Sequence, residues 1–413
     1  MSAPPARRGR GDAVCTACAL LCADIDPPAA RRACPDGARA FAALPALPPA
    51  PDEAVVRSAA ALLAGARRVL VTGLGEATLE GIAAACDLAE SLGAAVDAGD
   101  PTLAPATGPT IIRCGAVTAA YGELRDRADL VVRWFCDPTA THPRFAERFI
   151  PTHATLLAVG PPSSDTTRRT TIGLATIDLA TADSVAAARW LTARAAGIAV
   201  PATPLAEHLE PLADAVERAA CVAVIVGEPE DDEGIAAWAV AEWVRACAHR
   251  KPAFAVPLRG GVGSASANAV GVAAVLNWRY GGPGAIARAD RNGGFFRPTE
   301  ADAMRLIGRG EVDAVLVVGR PRPRVAAALA GAREPPAIVQ VASEPAFAGA
   351  MFLPVVDPLD EPGAMVRGDG EWVSVPGRRD APPDRHLGAV LRSIRAVVEA
   401  NADATPRRPG NAR

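Results

Sequence analysis

Short runs of aliphatic and β-branched residues alternate with longer amphipathic segments along most of the chain. Glu53 to Gly65 has helical periodicity, Arg68 to Thr72 is a short apolar strand, and Thr78 to Leu92 predicts a helix that ends at Gly93. Three further strands are predicted at Ala94 to Val96, Ala128 to Phe135 and Thr155 to Gly160. Strands that alternate with helices predict a parallel sheet covered by helices on both faces.

The same alternation returns after a linker-like stretch from Leu191 to Pro204. Strands are predicted at Cys221 to Gly227, Phe254 to Leu258, Asp313 to Gly319, Ala337 to Ala342 and Met351 to Val356, and helices at Glu233 to Ala248 and Leu387 to Glu399. The predicted fold class is therefore α/β, with an N-terminal four-cysteine iron–sulfur module followed by two doubly wound, mostly parallel α/β domains.

Changes in composition suggest where these parts begin and end. We expect a disordered tail over residues 1–12, the four-cysteine module over 13–50, a first α/β domain over 51–200 and a second over 201–358. Residues 359–413 are expected to form a C-terminal segment with one helix and a disordered end.

Four of the nine cysteines stand near the N-terminus, at Cys15, Cys18, Cys22 and Cys34. Their C-x2-C-x3-C pattern with a fourth cysteine a short loop later is typical of [4Fe–4S] ligands, and a proline follows the last of them. Zinc is an alternative, although four-thiolate zinc sites usually use two separated pairs. Packing alone is the third interpretation, since cysteine also serves as a small hydrophobe. The module has too few apolar residues to hold a core alone, so a cluster or a neighbouring surface must stabilise it.

Composition excludes several classes of function. Half of the 413 residues are hydrophobic, the net charge is −3 and the isoelectric point is about 6.0, so no global charge favours nucleic acid. No apolar run approaches the roughly 20 residues of a membrane span. The segment from Met1 to Arg10 lacks the apolar core of a signal peptide. We therefore expect a cytoplasmic protein with reduced thiols and without a membrane partner.

The other polar motifs are weaker evidence for a functional site than the four cysteines. Gly73-Leu-Gly75 follows a strand, but Thr78 stands where a dinucleotide fingerprint has its third glycine, so a tight βα turn is favoured over NAD binding. His142-Pro143-Arg144 follows a strand end, where a surface or turn histidine is favoured over a catalytic one. The arginines of a later glycine-rich stretch favour a solvated or subunit-facing loop over a phosphate site; they are Arg279, Arg288, Arg291 and Arg297.

Several segments together carry a family resemblance. They are Cys15 to Ile25, Ala33 to Gly37, Gly122 to Asp129, Trp134 to Arg144, Arg309 to Gly319 and Gly363 to Gly370. Over about residues 13 to 398 the chain resembles the B-type chain of formylmethanofuran dehydrogenase, within the molybdopterin oxidoreductase superfamily. The most specific block is Trp134 to Arg144, because generic βα architecture does not require a proline, a histidine and an arginine there.

One departure from this family concerns the metal ligand. The family places cysteine or selenocysteine, followed by histidine, in a loop whose ungapped equivalent here is Leu103 followed by Ala104. Leucine has no lone pair for tungsten or molybdenum, so the resemblance implies that molybdopterin or tungstopterin is absent. We therefore expect no catalytic and no cofactor-binding residues apart from the four cysteines. If the cleft holds no pterin, Leu103 and the prolines of residues 99–109 should fill or border it.

The chain is most similar to the B-type chain of the bacterial formyltransferase/hydrolase complex, which implies a structural subunit in tetrahydromethanopterin-linked oxidation of formaldehyde to formate. Its implied partners are the other subunits of that complex. One alternative is an active dehydrogenase subunit with a replacement ligand such as Cys114 or Asp100; the other is an iron–sulfur electron-transfer module. Whether the chain is itself an enzyme stays open between these interpretations.

Overall fold

The computed structural model describes residues 13–26, 30–99, 115–161, 175–227, 234–290 and 292–404. The strands, numbered β1 to β12, are Val69–Gly73, Ala95–Val96, Leu130–Trp134, Thr155–Gly160, Ala175–Asp178, Val222–Val226, Ala253–Pro257, Ala314–Val318, Ala337–Ala342, Met351–Pro354, Gly363–Val366 and Trp372–Val375. The helices, numbered α1 to α13, are Pro35–Ala42, Glu53–Gly65, Leu79–Leu92, Tyr121–Arg127, Pro138–Thr141, Phe145–Phe149, Ser184–Ala195, Pro204–Arg218, Ile235–Ala248, Ala269–Tyr280, Ala303–Gly308, Pro323–Ala330 and Leu387–Ala404.

The chain forms two compact units, and each contains one five-stranded parallel sheet. Unit 1 comprises residues 1–100, 263–367 and 372–413, and unit 2 comprises residues 101–262 and 368–371. The predicted α/β class with two doubly wound domains is confirmed. The domain boundaries are different, because the chain leaves the first sheet after β2 and returns to it at β8. Sequence order therefore does not divide the sheets at residue 200.

The sheet of unit 1 has the strand order β10-β9-β8-β1-β2, with every pair parallel. Alternate residues of β1 enter different cores: Val69 and Val71 pack with α2, α3 and α13, whereas Leu70 packs with α11 and α12. Both faces are therefore buried, which explains why β8 is apolar throughout and why β1 has only one polar residue, Thr72.

The sheet of unit 2 has the strand order β5-β4-β3-β6-β7 and is also parallel. Leu130, Val132 and Trp134 of β3 project into a core formed with α7, α8 and α9. The prediction of a linker from Leu191 to Pro204 is partly wrong, because Leu191 to Ala195 form the last five residues of α7.

Local capping fixes several of the predicted helices. The Thr78 side chain accepts a hydrogen bond from the Gly81 backbone N–H at the start of α3, and Gly93 takes a left-handed conformation (φ 58°) directly after it. Asp52 caps α2 in the same way. Most of the strands and helices predicted from periodicity lie within one to three residues of their predicted bounds. The two predicted disordered termini, residues 1–12 and the end beyond 404, lie outside the described residues.

Candidate functional site

The loop that carries the first three cysteines is closed by backbone hydrogen bonds. The Cys15 N–H donates to the Cys22 carbonyl (2.9 Å), and the Leu21 N–H donates to the Cys18 carbonyl (3.2 Å). Leu21 adopts φ 42°, which lets the chain reverse within this short segment. The three cysteines are all buried, at 5–6% exposure. The C-x2-C-x3-C spacing is thus folded into a tight loop.

Cys34 joins this loop from the start of α1. Its side chain accepts a hydrogen bond from the Gly37 backbone N–H (N to Sγ, 3.3 Å), so the sulfur caps the helix. A Cβ atom at Gly37 would lie 3.0 Å from Cys15 Sγ and 3.6 Å from Cys34 Sγ. Glycine at this position therefore leaves room for two of the four sulfurs to approach the same point.

The electrostatics of Cys18 reflect the presence of all four thiols. Burial raises the pKa of Cys18 far above its usual value, and charge on Cys15, Cys22 or Cys34 would raise it further. Four thiolates so close together would repel one another without a cation. A bound metal would remove that penalty, because metal coordination favours the deprotonated thiol.

The donor set fits a metal centre in kind and number. Four thiolates suit iron–sulfur clusters and zinc. However, no three His, Cys, Asp or Glu side chains of the described ranges are grouped so that they could hold a metal ion as they stand. The eight cysteines within those ranges are thiols rather than disulfides, and Cys114 lies outside them. Ligation would thus require side-chain movement, and the iron–sulfur and zinc interpretations both remain predictions.

An apolar surface of unit 1 covers the cysteine loop. Val14 and Leu21 pack with Ala267 and with Met365 and Val375 of the β11–β12 hairpin. The four-cysteine module has few apolar residues of its own, and it therefore packs against this neighbouring apolar surface.

An arginine clamp holds the segment that follows Cys34. Arg378 pairs with Asp360 (2.9 Å), which is fully buried, and donates to the carbonyls of Ala40 (3.0 Å) and Ala43 (2.5 Å). Arg379 also pairs with Asp360 (2.9 Å). This clamp ties the end of α1 to the C-terminal segment.

The carboxyl ends of β1 and β8 meet where the strand order of the first sheet reverses, which is the usual ligand position in such sheets. Here the turn is packed against protein. A Cβ at Gly73 would lie 2.3 Å from the Val318 carbonyl oxygen, and one at Gly75 would lie 2.4 Å from the Ala265 carbonyl oxygen. The Asn268 amide donates to the Ala77 carbonyl (2.7 Å). The predicted tight βα turn is therefore confirmed.

Side chains fill the remaining space at this strand-end crevice of unit 1. Arg320 Nε donates to both carboxylate oxygens of Glu76 (3.0 Å each), and Glu76 is 7% exposed. Buried Glu361 accepts a hydrogen bond from the Leu387 N–H (3.2 Å) at the start of α13, and burial raises its pKa to about 7. The cavity among these residues has a volume of about 20 Å³, enough for about one water.

In unit 2 the strand order reverses between β3 and β6, and the Trp134 to Arg144 block begins there. The Cys136 thiol donates to the Ile225 carbonyl (3.4 Å), and burial raises its pKa to about 12. A Cβ at Gly227 would lie 2.9 Å from Cys136 Cβ. Cys136 is therefore a neutral, packed thiol rather than a reactive one.

His142 is a buried turn residue, with 1% exposure, and not a surface one. Its Nε2 lies 2.9 Å from the Arg259 carbonyl oxygen, which only accepts, so Nε2 carries the proton. Its Nδ1 then accepts from the Thr141 hydroxyl (2.9 Å). Burial lowers its pKa to about 4, so the imidazole is neutral at pH 7. Arg144 pairs with Glu147 (2.5 Å).

The other residues that the sequence suggested for a functional site either lie apart from the sites described above or fall outside the described ranges. Arg279 pairs with Asp87 (2.5 Å) and Glu90 (3.1 Å), so these carboxylates already neutralise a candidate phosphate-binding arginine. Arg288 and Arg297 are both exposed. Asp100, Leu103, Ala104, Cys114 and Arg291 lie outside the described ranges, as does nearly all of the loop expected to fill the pterin cleft.

The polar residues that close the crevices were not anticipated from sequence. Asn268 lies 191 positions from its partner Ala77, and Arg320 lies 244 positions from Glu76. No local pattern could have paired them.

Within the described ranges no helix is both long and apolar enough to span a bilayer. No protein-family model matches the sequence, and no curated protein sequence matches it. The fold is similar to a chain in the crystal structure of the formyltransferase/hydrolase complex FhcABCD from Methylorubrum extorquens, determined with methylofuran. The TM-score is 0.67 at 21% identity, and the match covers 85% of this chain and 97% of that one. At this identity the likeness establishes a shared fold.

Proposed function

We propose that this chain is a non-catalytic structural subunit, of the B type, in a formyltransferase/hydrolase complex. That complex would act in tetrahydromethanopterin-linked one-carbon metabolism, where a formyl group passes to a methanofuran-like carrier and is released as formate. The observation that carries the proposal is the fold likeness over 97% of a chain from such a complex. The sequence resemblance to the B-type chain of the dehydrogenase agrees with it.

The chemistry of the strand-end crevices supports a structural role. In unit 1 the described residues close the crevice with the Glu76–Arg320 pair and leave about 20 Å³. In unit 2 the two candidate reactive groups, half-buried Cys136 and buried His142, are neutral at pH 7. Leu103 adds support from the sequence, because it stands where the family has its metal ligand.

The proposal includes a metal centre that stabilises the fold. Cys15, Cys18, Cys22 and Cys34 would hold a [4Fe–4S] cluster, with zinc as the alternative occupant. When bound, the cluster supplies folding free energy, since ligation occurs in the folded state. The chain's own contribution is to hold the loop by the Cys15–Cys22 backbone bond and to leave space for sulfur at Gly37.

Co-purification tests the proposed function. A tag on the chromosomal copy allows the assembly to be isolated at native expression, with the untagged strain as control. We expect native mass spectrometry to find this chain with other subunits, and the fractions to carry formyl-transfer and formate-releasing activity. A lone monomer, or viologen-linked oxidation of formylmethanofuran by the assembly, would contradict the proposal.

A further inference from the structure

Two tryptophans of unit 1 are stacked on each other at the surface. Trp278 is 66% exposed and Trp372 is 59% exposed, and their ring centroids lie 6.0 Å apart with 25° between the ring planes. In contrast, Trp134, Trp190 and Trp243 are 1–8% exposed. Exposure of two adjacent indoles costs hydrophobic free energy, and clustered tryptophans are typical anchors of protein interfaces.

The elements that carry the pair are rigid. Trp278 lies near the end of α10, whose Val272, Val275 and Leu276 are buried in the core of unit 1. Trp372 lies on β12, on the opposite face from Val373 and Val375, which pack towards the cysteine loop. The hairpin that covers the cysteine loop therefore presents an indole on its outer side.

A charged depression borders Trp278. Its lining includes Asp87, Glu90, Arg279 and Arg395, and its open volume is about 510 Å³. Arg279 pairs with both acids, and Arg395 pairs with Asp87 (3.3 Å) and Glu399 (2.9 Å). With Glu399, which joins through Arg395, this network has three carboxylates (Asp87, Glu90 and Glu399) and two guanidinium groups (Arg279 and Arg395). Its net charge is therefore −1. An aromatic platform beside net negative charge is complementary to a cation.

We propose that Trp278 and Trp372 form the docking platform for a partner protein chain that places an arginine side chain over the indoles, beside the depression. Arginine fits because its planar guanidinium stacks on aromatic faces and donates to carboxylates at the same time. The partner is another subunit of the complex, so this inference rests on the proposed function. The location of the docking site goes beyond the proposed function, so an experiment can reject this docking site while the proposed function stands.

The first test compares hydroxyl-radical oxidation of the free full-length chain with that of the intact complex. We expect Trp278 and Trp372 to be protected in the complex by about 10-fold or more, on the scale of complete burial at an interface core. Equal oxidation in both samples, with the complex intact by native mass spectrometry, overturns the docking site and leaves the proposed function standing. A wild-type chain that forms no complex ends both.

The second test measures affinity for the remaining subunits with full-length variants. Trp278→Ala and Trp372→Ala should each weaken assembly by about 30-fold, a typical effect at an interface anchor. The matched control is Ile198→Ala, because Ile198 is 60% exposed in unit 2. Unchanged affinity of both tryptophan variants, or an equal loss in the control, contradicts the proposal.

A photo-crosslinking residue at position 372 identifies the occupant in the assembled complex. Crosslinks to a segment of another subunit that contains arginine support the proposal. Crosslinks to a second copy of this chain, or to a segment without arginine, overturn it.

Discussion

The two sheets close their strand-end crevices with different chemistry. In unit 1 the crevice contains the Glu76–Arg320 ion pair and the buried carboxyl group of Glu361. In unit 2 the corresponding position contains Cys136 and His142, both neutral at pH 7. Each closure uses side chains that meet from distant parts of the sequence. The position at which an α/β sheet usually binds its ligand can thus become part of the core by two separate routes.

The two crevices also differ from the cysteine loop in the groups that surround their polar side chains. The crevice groups have protein partners: Arg320 for Glu76, the Leu387 N–H for Glu361, and the Arg259 carbonyl for His142. In the cysteine loop, charge on Cys15, Cys22 or Cys34 would raise the pKa of Cys18, so ionised thiols there would repel one another. A cation bound in this loop would remove that repulsion.

The largest expected effect is at Asn268, which closes the unit 1 crevice. Its side chain donates to the Ala77 carbonyl (2.7 Å) and accepts from the Val366 N–H (2.8 Å), and it is fully buried. Asn268→Ala would leave both backbone groups unpaired and should lower the free energy of unfolding by about 3 kcal/mol. Urea denaturation of the full chain measures this, with exposed Asn277→Ala as the matched control. A loss below about 0.5 kcal/mol, as at a surface position, would contradict the crevice description.

The unit 2 crevice should lose stability in acid because of His142. Its folded pKa of about 4 lies below the unfolded value of about 6.5, so the unfolded chain binds the proton first as pH falls. Between pH 7 and pH 5 the wild type should lose about 2 kcal/mol relative to His142→Gln, which does not titrate. Denaturation at the two pH values gives this difference. A constant difference between the two proteins would mean that His142 is not buried as described.

The unit 1 crevice should respond to acid in the opposite direction through Glu361. Its folded pKa of about 7 lies above the unfolded value of about 4.3, so the folded chain takes up the proton first. From pH 7 to pH 5 the wild type should gain up to about 2 kcal/mol relative to Glu361→Gln. The same denaturation series measures it, with exposed Glu371→Gln as the control. A loss instead of a gain would show that Glu361 is held as a charged partner.

Much of the fold follows from local sequence signals. The run of Ala314–Val318 is apolar throughout, and that of Val69–Gly73 is apolar except for Thr72, because both faces of a parallel strand are buried. This pattern identified both runs as strands. Thr78 and Gly93 mark the two ends of α3 by capping. The partition into units was not visible, because it depends on which strands pair, and β1 pairs with β8 across about 240 residues of chain.

The candidate sites divide in the same way. The cysteine spacing identified a compact loop, and the described structure brings Cys15 and Cys34 to one glycine. The sequence predicted that His142 follows a strand end. It did not predict that His142 is buried, since the Arg259 carbonyl that binds it is 117 positions away. The surface pair of Trp278 and Trp372 likewise required the folded hairpin beside α10.

The most direct test of the account is the metal content of the anaerobically purified complex, with iron, zinc, tungsten and molybdenum assayed together. The account predicts about four irons per copy of this chain, the complement of one cluster held by four thiolates, with neither tungsten nor molybdenum. Cys18→Ser should abolish that iron, whereas Cys86→Ser, a buried cysteine outside the loop, should retain it. Tungsten or molybdenum near stoichiometry would contradict the assignment of a non-catalytic subunit.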